Sequence, residues 1–123
     1  MNKIVLDSSF ICALVNKIDI NHEQAFFLYK KFSNVKIFIP QVVLLEIAIL
    51  KSKKYQDLHS AISKFLKIIQ YEIFPIQISK FEDFIAQTNY NLKPNDYFIL
   101  FVSQITNSKL LTFDKKLSNF FKP

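Results

Sequence analysis

A chain of 123 residues has room for one hydrophobic core, so a single domain over residues 1–123 is expected and a second catalytic domain is excluded. Half of the residues are hydrophobic and 14 are Phe, which excludes disorder across the whole chain, and the lack of glycine excludes the glycine-rich loops that cradle nucleotide phosphates. The formal charge of +6, carried entirely by Lys, favours a polyanionic partner, although Lys, Ile, Asn and Phe are abundant together and part of the excess reflects a compositional bias.

Cys12 is the only cysteine, which rules out an intramolecular disulfide and fits a reducing compartment. Asp7 ends the N-terminal apolar run too early for a signal peptide. The greasiest stretch, Ile37 to Leu50, is interrupted by Pro40 and Glu46 and falls short of the roughly 20 apolar residues a bilayer requires. A soluble cytoplasmic protein with no membrane segment is the expectation.

In chain order, Lys3 to Leu6 reads as a short buried strand ended by Asp7, and Ser8 and Ser9 offer capping hydroxyls to a helix through Phe10–Val15. Helical spacing returns from His22 to Phe32, where Ala25, Phe26, Leu28, Tyr29 and Phe32 form the expected inner face. Val35 to Ile39 is the next strand, ended by Pro40, whose fixed backbone angle suits the opening of a helix over Gln41–Leu50. Leu58, Ala61, Ile62, Phe65, Leu66 and Ile69 repeat at three- and four-residue intervals and predict one buried helical face within Tyr55–Tyr71. A short strand around Ile73–Phe74 follows, then a helix over Phe81–Thr88 with Phe81, Phe84 and Ile85 inward. Pro94 and Asn95 open a helix to about Thr106, and Lys109–Phe113 forms a last strand ending at Asp114. Repeated strand–helix alternation predicts a three-layer α/β/α sandwich with a mostly parallel central sheet.

Four acids stand out. Glu46 interrupts an otherwise apolar helix, where an unpaired carboxylate costs several kcal/mol, so it is expected to reach a cation, a metal or a solvent-filled cleft, or else to pair with a nearby Lys. Asp7 and Asp114 both end apolar strands, and Asp96 sits in the first turn of a helix; each also has an ordinary reading as a helix cap or dipole partner. In an open α/β sheet, acids at strand ends share the edge where ligands bind. Four carboxylates in one cleft would repel, and a hard divalent cation such as Mg²⁺, with Mn²⁺ as substitute, is the natural compensation. His22 and His59 lie in no recognisable motif and read as ordinary polar helix residues, and with a single cysteine no structural zinc site is expected.

Ile4-Val5-Leu6-Asp7-Ser8-Ser9-Phe10-Ile11 resembles the opening strand, acid and hydroxyl turn of PIN-domain proteins. Pro40 to Glu46 resembles their second acidic segment, Asn95-Asp96-Tyr97-Phe98-Ile99 the start of the third, and Leu111-Thr112-Phe113-Asp114 the fourth. The likeness extends over nearly the whole chain and lies in the order and context of the four acids. It implies a PIN-like fold and makes Asp7, Glu46, Asp96 and Asp114 catalytic and metal-site residues, with Ser8 and Thr112 as polar supports. It further implies hydrolysis of RNA phosphodiesters by water activated on one or two divalent ions, with Asp7, Asp96 and Asp114 as direct ligands and Glu46 binding a second ion or orienting water. Lys51, Lys53 and Lys54 are candidates to guide the RNA backbone. Many compact prokaryotic members of the family are toxins of toxin–antitoxin pairs, so a small antitoxin protein is a partner the resemblance implies; the many Phe and Ile side chains are candidates for a homodimer or antitoxin surface, although most must first satisfy the core. The competing expectation is a PIN-like RNA-binding or regulatory module that does not cleave. A phosphate-accepting receiver domain is disfavoured because Asp7 has no adjacent acid and Val35–Ile39 does not end in Asp.

Overall fold

The structure, a computed structural model, describes residues 2–32, 34–52, 56–74 and 78–121. Four strands of these residues, β1 (Lys3–Leu6), β2 (Lys36–Pro40), β3 (Glu72–Phe74) and β4 (Lys109–Leu111), form one sheet in the order β3-β2-β1-β4. Every pairing is parallel, with Lys3 opposite Lys36, Leu6 opposite Leu111 and Ile39 opposite Ile73. The helices are α1 (Ser8–Val15), α2 (His22–Lys30), α3 (Gln41–Ser52), α4 (Gln56–Ile68), α5 (Ile78–Gln87), α6 (Pro94–Ile105) and α7 (Lys115–Ser118), the last running into a short 3-10 turn over Asn119–Phe121. The result is the α/β/α sandwich with a parallel central sheet that the alternation of elements predicts. No helix of the described residues is long and apolar enough to cross a membrane.

A parallel sheet is covered on both faces, which explains why its inner strands are continuous apolar runs. Ile4, Val5 and Leu6 are fully buried, as are Ile37 to Pro40 in β2 apart from small residual exposure. Helix α6 is the central packing element. Its residues Phe98 to Ser103 are buried without interruption, because α6 lies against β1, β2 and β4 and is itself touched by α3 and α5. Phe81 and Phe84 of α5 meet this helix, with ring centroids 5.1 Å from Phe98 and 5.4 Å from Phe101 respectively. Without glycine in the chain, Asn takes the left-handed backbone positions, at Asn34 (φ 56°) and Asn107 (φ 52°), where its short polar side chain makes that geometry tolerable.

Several boundaries differ from the sequence expectation for identifiable reasons. Helix α1 begins two residues earlier, and its cap is Asp7 rather than Ser8 or Ser9, which both lie inside the first turn. Pro40 is the last residue of β2, opposite Phe74, and α3 starts at Gln41. Strand β4 stops at Leu111, because Thr112 turns its hydroxyl to Asp7 and Phe113 stacks on Phe10 at 5.7 Å. Periodicity also overstated two inner faces. Phe26 of α2 stays about half exposed with Lys30 over its ring, and Ile85 of α5 is similarly exposed.

Candidate active site

The strand order fixes where chemistry can gather. From β1 the chain moves outward to β2 and β3, then returns to place β4 on the other side of β1, so the order reverses between β1 and β4. In open α/β sheets ligands bind beyond the carboxyl ends of the strands at such a reversal. Asp7 directly follows β1 and Asp114 lies three residues beyond β4, at the same end of neighbouring parallel strands.

Asp7 is held more tightly than a surface acid. It is 3% exposed, and both of its oxygens are engaged. Oδ1 accepts from the Ser9 hydroxyl at 2.8 Å and from the Phe10 backbone N–H at 3.0 Å, and Oδ2 accepts from the Thr112 hydroxyl. Those hydroxyls are fixed in turn by the opposite loop, since Ser9 Oγ accepts from Phe113 N–H and Thr112 Oγ1 from Asp114 N–H, each at 3.0 Å. One buried carboxylate thereby caps α1 and ties the turn after β1 to the turn after β4. Asp114 caps α7 through Oδ1, which accepts from the backbone N–H groups of Lys116 at 2.9 Å and Leu117 at 3.2 Å.

Glu46 and Asp96 approach from α3 and α6. Glu46 is half-buried, and its Oε1 is shielded from solvent with no hydrogen-bond partner among the described residues. Asp96 occupies the first turn of α6, after Pro94 has opened that helix.

The charges show that the four acids share one neighbourhood. Burial pushes the Asp7 carboxyl up from its ordinary range, hydrogen bonds from Thr112, Phe10 and Ser9 pull it back, and the charge of Asp114 adds to the rise. Glu46 is raised by burial first, then by the charges of Asp7 and Asp96, with the Ser8 hydroxyl offsetting part of this and Asp114 adding a smaller push. Asp96 is raised by burial and by Asp114, against the opposing pull of Lys93 and Lys116. Asp114 therefore acts on the other three, and Glu46 senses all of them. The Cys12 thiol is pushed up to about 11 by burial, then by Asp19, Asp7 and Glu46, and so stays protonated at neutral pH.

A hard divalent cation suits this donor set. The orphaned Glu46 oxygen and the mutual elevation of three carboxyls are the features a cation would relieve. Among the described residues, however, no three His, Cys, Asp or Glu side chains are already arranged to hold a metal ion.

Of the supporting residues expected from sequence, Thr112 binds Asp7, and Ser8 serves Glu46. Ser9 was not among them, yet it holds Asp7 and Phe113 together; its position two residues after the acid, beside Ser8, is the signal available in the sequence. Lys53 and Lys54 lie outside the described residues, and Lys51 is placed only as part of α3. Lys93 and Lys116 are the cations beside Asp96, and no local motif marks them. His22 has a structural role, its Nδ1 lying 2.8 Å from the Ala13 carbonyl oxygen and its ring stacked near Phe26.

A group of acids at the reversal point of a small parallel α/β sandwich marks the class, and comparison with known proteins supplies the family. The family model described as PIN domain matches residues 4–122, and the chain belongs to that family. Its fold is similar to that of VapC20 from Mycobacterium tuberculosis, described as a sarcin–ricin loop cleaving toxin, at 18% identity and a TM-score of 0.74, over 95% of this chain and 94% of that one. It is also similar to VapBC2 from Rickettsia felis, solved bound to a DNA fragment from its promoter, at 22% identity and a TM-score of 0.66, over 95% and 92% of the two chains. PAE2754 from Pyrobaculum aerophilum aligns at 16% identity and a TM-score of 0.58, over 94% of this chain and 77% of that one. No curated protein matches the sequence.

Proposed function

We propose that this chain is a divalent-metal-dependent endoribonuclease and the toxin of a toxin–antitoxin pair. The observation that carries the reading is Glu46: a carboxylate on an apolar helix, one oxygen buried and unpartnered among the described residues, facing the charges of Asp7, Asp96 and Asp114. Such an arrangement costs stability unless a cation enters it, so function is the reason to keep it. Asp7, Asp96 and Asp114 would hold Mg²⁺ or Mn²⁺, with Glu46 beside them. The bound ion supplies Lewis acidity toward the scissile phosphate and lowers the pKa of water.

The residues of the chain have separable tasks. Asp7 and Asp114 are fixed to the two strand ends by Ser9, Thr112 and the start of α7, so the carboxylate positions are set before substrate arrives. Glu46, raised by burial and by the neighbouring acids, is suited to accept and return a proton. Lys93 and Lys116 offset the repulsion that an RNA backbone meets at the acids. The toxin assignment draws on the VapC20 and VapBC2 likenesses. An antitoxin or a second copy of the chain is further supported by Ile18, Ile20, Phe26 and Phe27, which are large, apolar and exposed.

A second reading, an RNA-binding module that does not cleave, is favoured by the one fact that no three acids stand ready to hold a metal among the described residues. The deciding experiment is cleavage of structured and unstructured RNA by the parent and by Glu46→Gln, with Mg²⁺, Mn²⁺ or chelator. Metal-dependent cleavage by the parent, lost in the variant, is expected; metal-independent binding without cleavage by the parent would establish the second reading instead.

A further inference from the structure

The amino end of the sheet, opposite the acids, carries a feature of the reverse sign. Strands β1, β2 and β4 each begin with lysine: Lys3, Lys36 and Lys109. These are neighbours, because Lys3 pairs in register with Lys36 and Ile4 with Lys109. Lys36 is neutralised by Glu72 at 3.2 Å. Lys3 and Lys109 have no carboxylate partner among the described residues, and both line the same cavity of about 390 Å³ with Asn2, Phe32 and Asn107. No acid lines it.

The walls of this cavity are built rather than incidental. Asn107 adopts φ 52° in the tight turn between α6 and β4, with its N–H on the Gln104 carbonyl and the Ser108 N–H on the Ser103 carbonyl. The nearly buried Ser103 hydroxyl donates to the Ser108 carbonyl at 2.9 Å, and Thr106 Oγ1 lies 2.6 Å from Ser108 Oγ, locking the turn from beneath. On the other side, Lys36 N–H bonds the Asn2 carbonyl at 3.0 Å, and the Lys109 ammonium sits 5.7 Å from the centroid of Phe32. Lys3 Nζ donates to the Thr106 carbonyl at 3.4 Å, which holds the ammonium on the turn without neutralising it. Two ammonium groups with no carboxylate partner among the described residues and two side-chain amides around a fixed turn form a donor-rich pocket for an oxyanion.

We infer that this pocket, lined by Asn2, Lys3, Asn107 and Lys109, binds the phosphodiester backbone of single-stranded RNA as an anchoring site separate from the acidic cleft. The inference rests on the reading of the chain as an RNA enzyme. Lys3 and Asp7 are four residues apart, about 13 Å along β1. RNA held at both ends must therefore run down the flank of the domain, so the pocket selects substrates several nucleotides long.

The test is fluorescence anisotropy with a labelled single-stranded oligoribonucleotide in chelator, across a salt series. The variants are Lys3→Gln/Lys109→Gln and, with the same charge change on the exposed side of α4, Lys64→Gln/Lys67→Gln. Losing two phosphate contacts should flatten the slope of log K against log salt by about 1.4 and weaken binding roughly twentyfold at 0.1 M salt. The α4 control should change little. Acetylation footprinting of the unaltered protein gives a second readout, with RNA expected to protect Lys3 and Lys109 but not Lys64 or Lys67. Equal slopes for the two double variants, or no protection of Lys3 and Lys109, would overturn the pocket. AMP binding as tightly as the oligonucleotide would overturn the backbone assignment. Cleavage by the parent alongside pocket-independent binding would leave the nuclease reading standing, whereas pocket-dependent binding with no cleavage would do the reverse.

Discussion

Replacing Thr112 with Val tests whether the join between the two strand ends is as strong as its hydrogen bonds imply. Val is nearly the same shape but has no hydroxyl, so the substitution removes the donor to Asp7 Oδ2 and the acceptor for Asp114 N–H while leaving Ser9 and Phe10 on Oδ1. A hydrogen bond to a charged group contributes about 1.5–3 kcal/mol and a neutral one about 0.5–1.5 kcal/mol, and Asp7 is too buried for water to replace the loss easily. Thr112→Val should therefore cost about 2–4 kcal/mol at pH 7. Thr112→Ser keeps both bonds and loses one methyl, for about 0.8 kcal/mol or less. The Thr112 hydrogen bond lowers the Asp7 pKa, so its removal raises the folded-state value further. A raised folded pKa gives stability that is present below the unfolded value and lost as pH rises through the folded one. The Val deficit should therefore widen as pH rises through the folded Asp7 pKa and narrow in acid, where the carboxyl is neutral in both proteins. Urea denaturation in chelator at several pH values, followed by circular dichroism, measures this directly. A Val variant as stable as the Ser variant at pH 7, or a deficit independent of pH, would refute the reasoning.

Two further outcomes follow from the charges. Asp96→Asn keeps the shape of the helix start but removes one charge from a group whose members are raised, so in chelator it should melt at or above the parent temperature at pH 7, with the difference closing in acid, while Mg²⁺-dependent cleavage falls more than about tenfold; an unfolded variant would show Asp96 to be structural. Lys93→Gln/Lys116→Gln removes the cations that hold Asp96 down, so the acid limb of the cleavage profile should move to higher pH and KM should rise more than kcat falls; an unmoved limb would dissociate these lysines from the site.

The alternation of strands and helices was legible because each inner strand is buried on both faces and each long helix repeats its apolar residues at helical spacing. Ile4–Leu6 and Leu58–Phe65 are examples of the two patterns. The acids were legible as sequence anomalies: Glu46 breaks an apolar helix, and Asp7 ends an apolar strand. What the sequence did not display was which carboxylate each hydroxyl serves. Thr112 meets Asp7, and Ser9 meets Phe113, only because β1 and β4 lie side by side, contacts between residues more than 100 positions apart. Lys116 escaped notice for the same reason, since its proximity to Asp96 arises from tertiary placement, whereas Lys93 stands three residues before Asp96 at the cap of the same helix. The half-exposed Phe26 and Ile85 mark the opposite failure: helical spacing finds an apolar stripe, but not whether another element is there to cover it.

The four acids divide into two kinds, and the division follows from the elements that carry them. Asp7 and Asp114 lie in turns just after strands, where free backbone N–H groups and turn hydroxyls are at hand, and both carboxylates are fixed by such donors. Glu46 projects from the interior of α3, and a helix interior uses its own backbone donors, so this acid has none to borrow, which explains why the orphaned oxygen belongs to it. Asp96 lies in the first turn of α6, where Lys93 and Lys116 supply the opposing charge. One half of the cleft is thus preorganised by the fold, and the other retains donor capacity that is not committed to folding. A purely structural cluster would have no reason to keep that asymmetry, because capping both strand ends requires Asp7 and Asp114 alone.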